Sequence, residues 1–151
     1  MDYEKEIVKY KERIAELEQT IKKTSVPIIS SIVKDTILVP IVGYTGAERF
    51  ELIRTIVLEH IDNYREVNSV IFDFTAADFH GKDQDDFNSL ALELQMLNNT
   101  LKLMDVRPIS VGFNPLVVRK IVAAGVQMEF ESYVNFRTAL KVLLKEKNET
   151  F

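Results

Sequence analysis

The chain has 151 residues, and 46% of them are apolar, which is enough for one packed domain of ordinary size. Its 19 basic and 23 acidic residues are spread along the chain and give a formal net charge of -4, so a nucleic-acid partner is not expected. Disulfides, thiolate metal sites and cysteine nucleophiles are excluded because there is no cysteine.

A cytoplasmic protein without a membrane partner is expected from the same composition. A segment that spans a bilayer needs about 20 consecutive apolar residues, and no run in this sequence approaches that length. The first residues, MDYEKEIVKY, are too charged for a signal peptide. A chain without cysteine also suits a reducing compartment.

Residues 1–23 carry a heptad repeat that predicts a coiled-coil or linker helix. Isoleucine fills the a positions and tyrosine or leucine the d positions, while glutamate, lysine and arginine flank them. The predicted dimer seam consists of Tyr3, Ile7, Tyr10, Ile14, Leu17 and Ile21. A seam this narrow favours a parallel two-stranded coiled coil, and therefore a homodimer, over an amphipathic helix that lies on its own domain.

Residues 24–147 alternate short β-rich runs with helical runs, and residues 148–151 form a tail. The runs 27–33 and 36–42 predict two strands joined in a hairpin-like start. Pro40 restricts the second strand to a sheet edge or a bulge, because proline has no N–H to donate.

A turn between Gly43 and Gly46 precedes the first helical run. Residues 47–67 have apolar residues at helical spacing, residues 70–74 read as a buried strand, and residues 87–104 read as a second helix. The alternation of strand and helix predicts parallel strands joined by helical crossovers.

The last part of the domain repeats the same alternation. Residues 108–113 predict a strand, residues 115–125 a helix with proline in its first turn, residues 127–130 the last strand, and residues 134–147 the final helix. The sequence therefore predicts an α/β fold with a mostly parallel sheet, and the helix count predicts that one sheet face is less covered than the other. Outside the apolar positions, Lys102, Arg107 and Arg119 are interpreted as surface charges.

The loop between residues 74 and 87 is acidic, and its carboxylates are candidate ligands for a metal ion. Calcium loops of the EF-hand type need a closing glutamate twelve residues after the first ligand, and the sequence after Asp78 has none. Neither His60 nor His80 has a neighbour at a zinc-ligand spacing. We therefore expect no metal and no cofactor, and the absence of phosphate-binding glycine motifs and of G-x-S-x-G predicts that the protein is not an enzyme.

Three segments carry a resemblance to a known family. They are SVPIIS at 25–30 with GYTGAER at 43–49, SVIFDFT at 69–75, and VGFNPLVVRKIVAAG at 111–125. In their order and spacing they resemble the STAS domain of anti-sigma-factor antagonists, and more closely the R-type co-antagonists of the bacterial stressosome. The resemblance implies a STAS domain over residues 24–147, preceded by a coiled-coil helix, and a non-enzymatic role in signalling.

The resemblance also implies a phosphorylated serine or threonine after an aspartate at the start of the second helix. This sequence reads DDFNS there, so that the expected position falls on Asn88, with Ser89 next to it. A second threonine of the R-type members falls on or near Lys120. We expect the loop aspartates to supply fixed negative charge in place of a phosphate. Ser89 and Thr75 are the alternative phosphorylation positions.

By the same resemblance, the protein acts by docking to other STAS-domain proteins or to a serine/threonine switch kinase. The predicted partner-binding surface consists of Asp78, His80, Lys82, Asp83, Asp85, Asp86 and Asn88. One alternative is a stand-alone antagonist that is regulated by phosphorylation at Ser89 or Thr75. A less favoured alternative is a phosphoryl-receiver protein that uses Asp73, near the end of the central strand.

Overall fold

The computed structural model describes residues 2–24, 26–44, 46–126 and 131–149. These described residues form five helices: α1 (Tyr3–Thr24), α2 (Ala47–Asn63), α3 (Gln84–Leu103), α4 (Pro115–Ala123) and α5 (Phe136–Glu149). The same part of the chain contains seven strands: β1 (Ile29–Ser30), β2 (Thr36–Pro40), β3 (Gly43–Tyr44), β4 (Ser69–Asp73), β5 (Ala77–Asp78), β6 (Arg107–Val111) and β7 (Ser132–Tyr133).

The main sheet has the strand order β1-β2-β4-β6-β7. Strand β1 pairs antiparallel with β2, and the other neighbours pair parallel, which confirms the hairpin-like start and the mostly parallel sheet. The small strands β3 and β5 form a separate parallel pair. This pair was missed in the sequence, where Gly43 indicated only a turn and residues 74–87 only a loop.

Pro40 does not lie on an edge strand, since β2 has neighbours on both sides. It is the last residue of β2, opposite Asp73 of β4, and the pairing with β1 reaches only Leu38. Beyond Leu38 the missing N–H of Pro40 therefore removes no hydrogen bond from the sheet.

The two faces of the sheet carry unequal layers, as the helix count predicted. Helices α2, α3 and α4 cover one face, where their apolar residues pack with Val70 and Phe72 of β4. On the other face, Ala139 and Leu143 of α5 pack with Ile71. Successive residues of a strand point to opposite faces, and both faces of β4 are covered, so its sequence is a continuous apolar run.

Several helix boundaries differ from the predicted ones because of local capping. Helix α2 ends at Asn63 and not at residue 67. Helix α3 begins at Gln84, three residues earlier than predicted, because Asp83 caps it. Helix α5 begins at Phe136, after Asn135, whose side chain accepts from the Thr138 backbone N–H at 2.9 Å.

The predicted last strand at 127–130 lies outside the described residues. The described strand nearest to it is β7, which pairs with the end of β6. None of the helices in the described part of the chain is long and apolar enough to cross a membrane.

Candidate interaction surface

The acidic loop lies at the carboxyl ends of the parallel strands β4 and β6, where ligand and partner sites of open α/β sheets occur. It is not a loose loop, because β5 within it pairs with β3 through Gly43 and Ala77. The Gly43 N–H donates to the Ala76 carbonyl at 3.0 Å, and the Ala77 N–H donates to the Phe74 carbonyl at 3.1 Å.

Aromatic side chains fix both ends of this loop to the core. Phe74 is buried and stacks on Phe113 with ring centroids 4.2 Å apart. Phe79 lies 6.1 Å from Phe87, the first buried residue of α3. The polar residues between these anchors are therefore held at defined positions on the surface.

Asp73 and Thr75 form a closed hydrogen-bonded unit at the end of β4. The Asp73 Oδ1 atom accepts from the Thr75 backbone N–H at 2.9 Å and from the Thr75 hydroxyl at 2.5 Å. Thr75 also lies against Gly112, where an added Cβ would be only 2.6 Å from the Thr75 backbone nitrogen. The carboxylate of Asp73 thus orders the turn that follows its strand.

Three of the four predicted loop aspartates have a local structural role. Asp83 is the N-cap of α3 and accepts from the Asp86 N–H at 2.8 Å, while Asp86 accepts from the Asp83 N–H at 3.0 Å. Asp78 accepts from the His80 N–H at 2.8 Å. The carboxylates at the start of α3 are also favoured by the helix dipole.

These aspartates remain on the surface together with part of the predicted partner-binding set. Asp78, His80, Asp83, Asp85 and Asp86 are exposed, and Lys82 is half-buried. Their charges are therefore available to a partner while the caps hold them in place. Within the described part of the chain, no group of three or more histidine, aspartate or glutamate side chains is arranged to hold a metal ion.

The position expected for the phosphorylated residue is occupied by a hydrogen-bonded amide. Gln84 Nε2 donates to Asn88 Oδ1 at 2.9 Å and to the Lys120 carbonyl at 2.9 Å, which ties the first turn of α3 to α4. Asn88 is half-buried, whereas Ser89 is exposed. Lys120, the second position implied by the resemblance, therefore lies beside the first.

Ser89 begins an exposed and largely apolar ridge along α3. Leu92, Met96 and Leu103 are exposed and follow Ser89 at helical spacing. Arg54 of α2 reaches over this ridge, with Nη1 3.0 Å from Glu93 Oε2 and 2.8 Å from Met96 Sδ. A partner that binds the acidic loop has apolar surface next to it along α3.

The seam of α1 is exposed. Tyr3, Ile7, Tyr10, Ile14 and Leu17 are each about half exposed or more, and residues 2–17 are all exposed. Ile21, the sixth predicted seam position, lies outside the described side chains. The described part of the stripe is therefore not buried against the chain's own domain.

Arg107 is not the simple surface charge that we predicted. Its guanidinium binds Glu131 at 2.5 Å and Glu146 at 2.6 Å, and Glu131 also accepts from the Tyr133 hydroxyl at 2.7 Å. The hydrogen bond to Glu131 is the main cause that raises the pKa of Arg107 above its ordinary value, and the hydrogen bond to Glu146 raises it further. This cluster lines a cavity of about 850 Å³ at the amino ends of β4 and β6, away from the acidic loop.

Two other groups of this cluster, Glu146 and Tyr133, also have shifted pKa values. The hydrogen bond from Arg107 lowers the pKa of the Glu146 carboxyl. The hydrogen bond to Glu131 raises the pKa of the Tyr133 hydroxyl. No local pattern in the sequence predicts this cluster, because Arg107 and Glu146 are 39 positions apart.

No protein-family model matches the sequence, and no curated protein matches it. Among solved structures, the chain is similar to a serine-to-glutamate variant of RsbS from Moorella thermoacetica, with 16% identity and a TM-score of 0.63 over 82% of this chain and 97% of that one.

Two further solved structures are similar to it. The anti-sigma factor antagonist SpoIIAA in its unphosphorylated form has 14% identity and a TM-score of 0.54, with 80% of this chain and 97% of that chain covered. A chain from the molecular architecture of the stressosome, a signal integration and transduction hub, has 15% identity and a TM-score of 0.56, with 80% and 98% covered. These similarities confirm the predicted STAS fold.

Proposed function

We propose that this STAS-fold chain is a non-enzymatic signalling protein, an anti-sigma-factor antagonist or co-antagonist of the stressosome type. It acts in the cytoplasm by binding other STAS-domain proteins or a serine switch kinase. The observation that carries the proposal is the exposed set of aspartates around the first turn of α3, held by β5 and by the capping box of Asp83 and Asp86.

The fixed negative charge of the loop aspartates is the first reason to propose partner binding without phosphorylation. A phosphate adds close to two negative charges at a helix N-terminus, and the aspartates already supply negative charge there. Asn88, at the position of the expected phosphorylated residue, has no hydroxyl, and its amide oxygen accepts from Gln84.

The two alternative hydroxyls are less suitable for phosphorylation. A phosphate on Ser89 would lie one helical turn from Asp85 and Asp86, and like charges at that spacing repel. The Thr75 hydroxyl donates a hydrogen bond to the Asp73 carboxylate. A phosphate on Thr75 would break that bond and would lie against the negative charge of Asp73. Asp73 is less favoured as a phosphoryl acceptor, since the Thr75 hydroxyl and N–H both bind its Oδ1 atom, one of the two carboxylate oxygens.

We also propose that the chain forms a homodimer through α1, and the exposed seam of this helix supports that pairing. In a parallel in-register pair, each g residue faces the e residue five positions later in the partner helix. Glu6 then faces Lys11, and Arg13 faces Glu18, so both pairs have opposite charges. This pattern favours a second copy of the same chain as the partner of α1.

The experiment that tests the proposal combines phosphorylation with binding. The full chain is incubated with a serine switch kinase of the same organism and ATP, and its intact mass is measured. In parallel, its binding to that kinase and to STAS-domain proteins of the same organism is measured by calorimetry. We expect an unmodified mass together with binding that weakens when Asp85 is replaced by asparagine.

Asp85→Asn removes one charge without touching the two capping residues, and Glu59→Gln on α2 is the matched control. A single phosphate on Ser89 would support the stand-alone, phosphorylated antagonist instead. The absence of binding to both kinds of partner would contradict the proposal in either form.

A further inference from the structure

The side chain of Gln84 joins the ends of two helices. Gln84 is the first residue of α3 and lies between the N-cap Asp83 and the exposed Asp85. Its Nε2 atom donates to Asn88 Oδ1 within α3 and to the Lys120 carbonyl of α4, both at 2.9 Å. A side-chain amide nitrogen carries two protons, so one amide serves its own helix and the neighbouring helix at once.

The bond to α4 satisfies a carbonyl group in the last turn of that helix. The final carbonyl groups of a helix have no N–H group in a following turn. Here the Ala124 N–H donates to the Ile121 carbonyl at 3.2 Å, and the Lys120 carbonyl receives the Gln84 amide. Gln84 therefore caps the carboxyl end of α4 while it forms part of the first turn of α3.

The turn that contains Gln84 also carries the charges of the proposed partner-binding surface. Asp85 and Asp86 lie in the first turn of α3, and Asp83 precedes it. The capping box fixes the carboxylates of Asp83 and Asp86 relative to their own helix. Gln84 is half-buried, and its bond to α4 fixes the turn relative to the neighbouring helix.

We propose that Gln84 is a positioning residue of the partner-binding surface and holds the acidic first turn of α3 in one position relative to α4. The inference rests on the proposed function, in which a partner binds the loop aspartates. A surface that is already in its bound position loses less conformational freedom when the partner arrives. The aspartates then supply the charge, and Gln84 supplies their position.

The substitution Gln84→Glu separates position from charge. Glutamate has nearly the same shape and is favoured in the first turn of a helix, so α3 should still begin at this residue. Its carboxylate has no proton to donate and would face the carbonyl oxygen of Lys120. The substitution also adds a negative charge to the acidic surface. If charge alone governed binding, a partner with complementary charge would bind this variant more tightly.

Calorimetry with the kinase or STAS-domain protein that binds the unchanged chain tests the inference. We expect Gln84→Glu and Gln84→Ala each to weaken binding about tenfold, although only the first adds a charge. His80→Glu is the matched control, because it adds the same charge to the exposed set and retains the backbone bond to Asp78. It should bind at least as tightly as the unchanged chain. Circular dichroism verifies that each variant is folded.

Amide hydrogen exchange of the free chain reports on the two turns without a partner. The Phe87 N–H closes the first turn of α3, and the Ala124 N–H closes the last turn of α4. We expect both amides to exchange faster in Gln84→Glu, because the bond between the turns is lost. The Tyr64 amide, which closes the end of α2 through the His60 carbonyl, is the internal control and should not change.

The two measurements together distinguish positioning from other roles of Gln84. Equal or tighter binding of Gln84→Glu would overturn the inference, even if its amides exchange faster, because Gln84 would then have a structural role alone. Weaker binding with unchanged exchange would also overturn it, since Gln84 would then contact the partner directly. Failure of the unchanged chain to bind either kind of partner would instead contradict the proposed function, and this inference with it.

Discussion

Gly112 is the residue at which the backbone of the candidate site leaves no room for a side chain. It follows β6 with φ of +84°, in the left-handed region, and lies against Thr75. An added Cβ would be 2.4 Å from the Thr75 hydroxyl and 2.6 Å from its backbone nitrogen. The turn after β4 and the end of β6 can approach this closely only because residue 112 is glycine.

We expect Gly112→Ala to lower the free energy of unfolding by about 3 kcal/mol, because left-handed strain and the contact with Thr75 add. Gly81→Ala is the matched control, since Gly81 has φ of +77° and nothing within 4 Å of the added Cβ. It should cost about 1 kcal/mol from strain alone. Urea unfolding measures both, and equal losses would contradict the steric argument.

The ion pair between Glu146 and Arg107 makes the free energy of unfolding depend on pH. The Arg107 guanidinium lowers the pKa of the Glu146 carboxyl when the chain folds. A group whose pKa is lowered by folding contributes stability above its unfolded pKa, near 4.3, and loses that contribution as the pH falls through the folded value. The ion pair is therefore expected to stabilise the protein at neutral pH and not at strongly acidic pH.

The comparison of the unchanged chain with Glu146→Gln tests this expectation. Their unfolding free energies, measured in urea from about pH 7 to about pH 3, should differ at neutral pH and converge at acidic pH. Glu59→Gln removes an exposed carboxylate on α2 and serves as the control. A difference for Glu146→Gln that stays constant over this pH range would contradict the assignment.

At the scale of elements, α1 differs from the other four helices. The apolar residues of its described part are exposed, whereas α2 to α5 each bury a set of apolar residues against the sheet. An exposed heptad seam on a charged helix is suited to a partner helix. The heptad in the sequence predicted the helix, and the structure adds that the described part of its seam is not covered by its own domain.

The element-scale prediction is that Ile14→Asp separates the proposed dimer. Ile14 occupies an a position, and a charge there loses apolar burial in both copies, so that the dimer dissociation constant should rise about 100-fold or more. Val8→Asp is the control, because Val8 is equally exposed but lies at a b position. Sedimentation equilibrium measures both variants. Equal weakening by the two substitutions, or no change with Ile14→Asp, would contradict a dimer through this seam.

The helix boundaries show how local chemistry refines a periodic pattern. Apolar spacing predicted α3 from residue 87, but the reciprocal hydrogen bonds of Asp83 and Asp86 begin it at Gln84. The same aspartates are part of the predicted partner-binding surface. Asp83 and Asp86 therefore belong to the predicted partner-binding surface and also start α3.

At the scale of the whole molecule, the sheet separates two regions of different character. The carboxyl ends of β4 and β6 carry the acidic loop, Thr75 and Gly112, and the amino ends carry Arg107 with its two glutamates. Three helices cover one face of the sheet and α5 covers the other. The acidic loop and the Arg107 cluster consequently lie at opposite ends of the parallel strands.

The sequence by itself determined the heptad helix, the order of the helices with β1, β2, β4 and β6, the STAS fold and the acidic loop. Each of these depends on periodicity, turn residues or motif order within short segments, where neighbours in sequence are also neighbours in space. The tertiary structure alone decided the pairing of β3 with β5, the bond from Gln84 to the Lys120 carbonyl and the cluster around Arg107. The residues in those contacts lie far apart in the sequence and meet only when separate elements pack together. No local pattern in the sequence therefore predicts them.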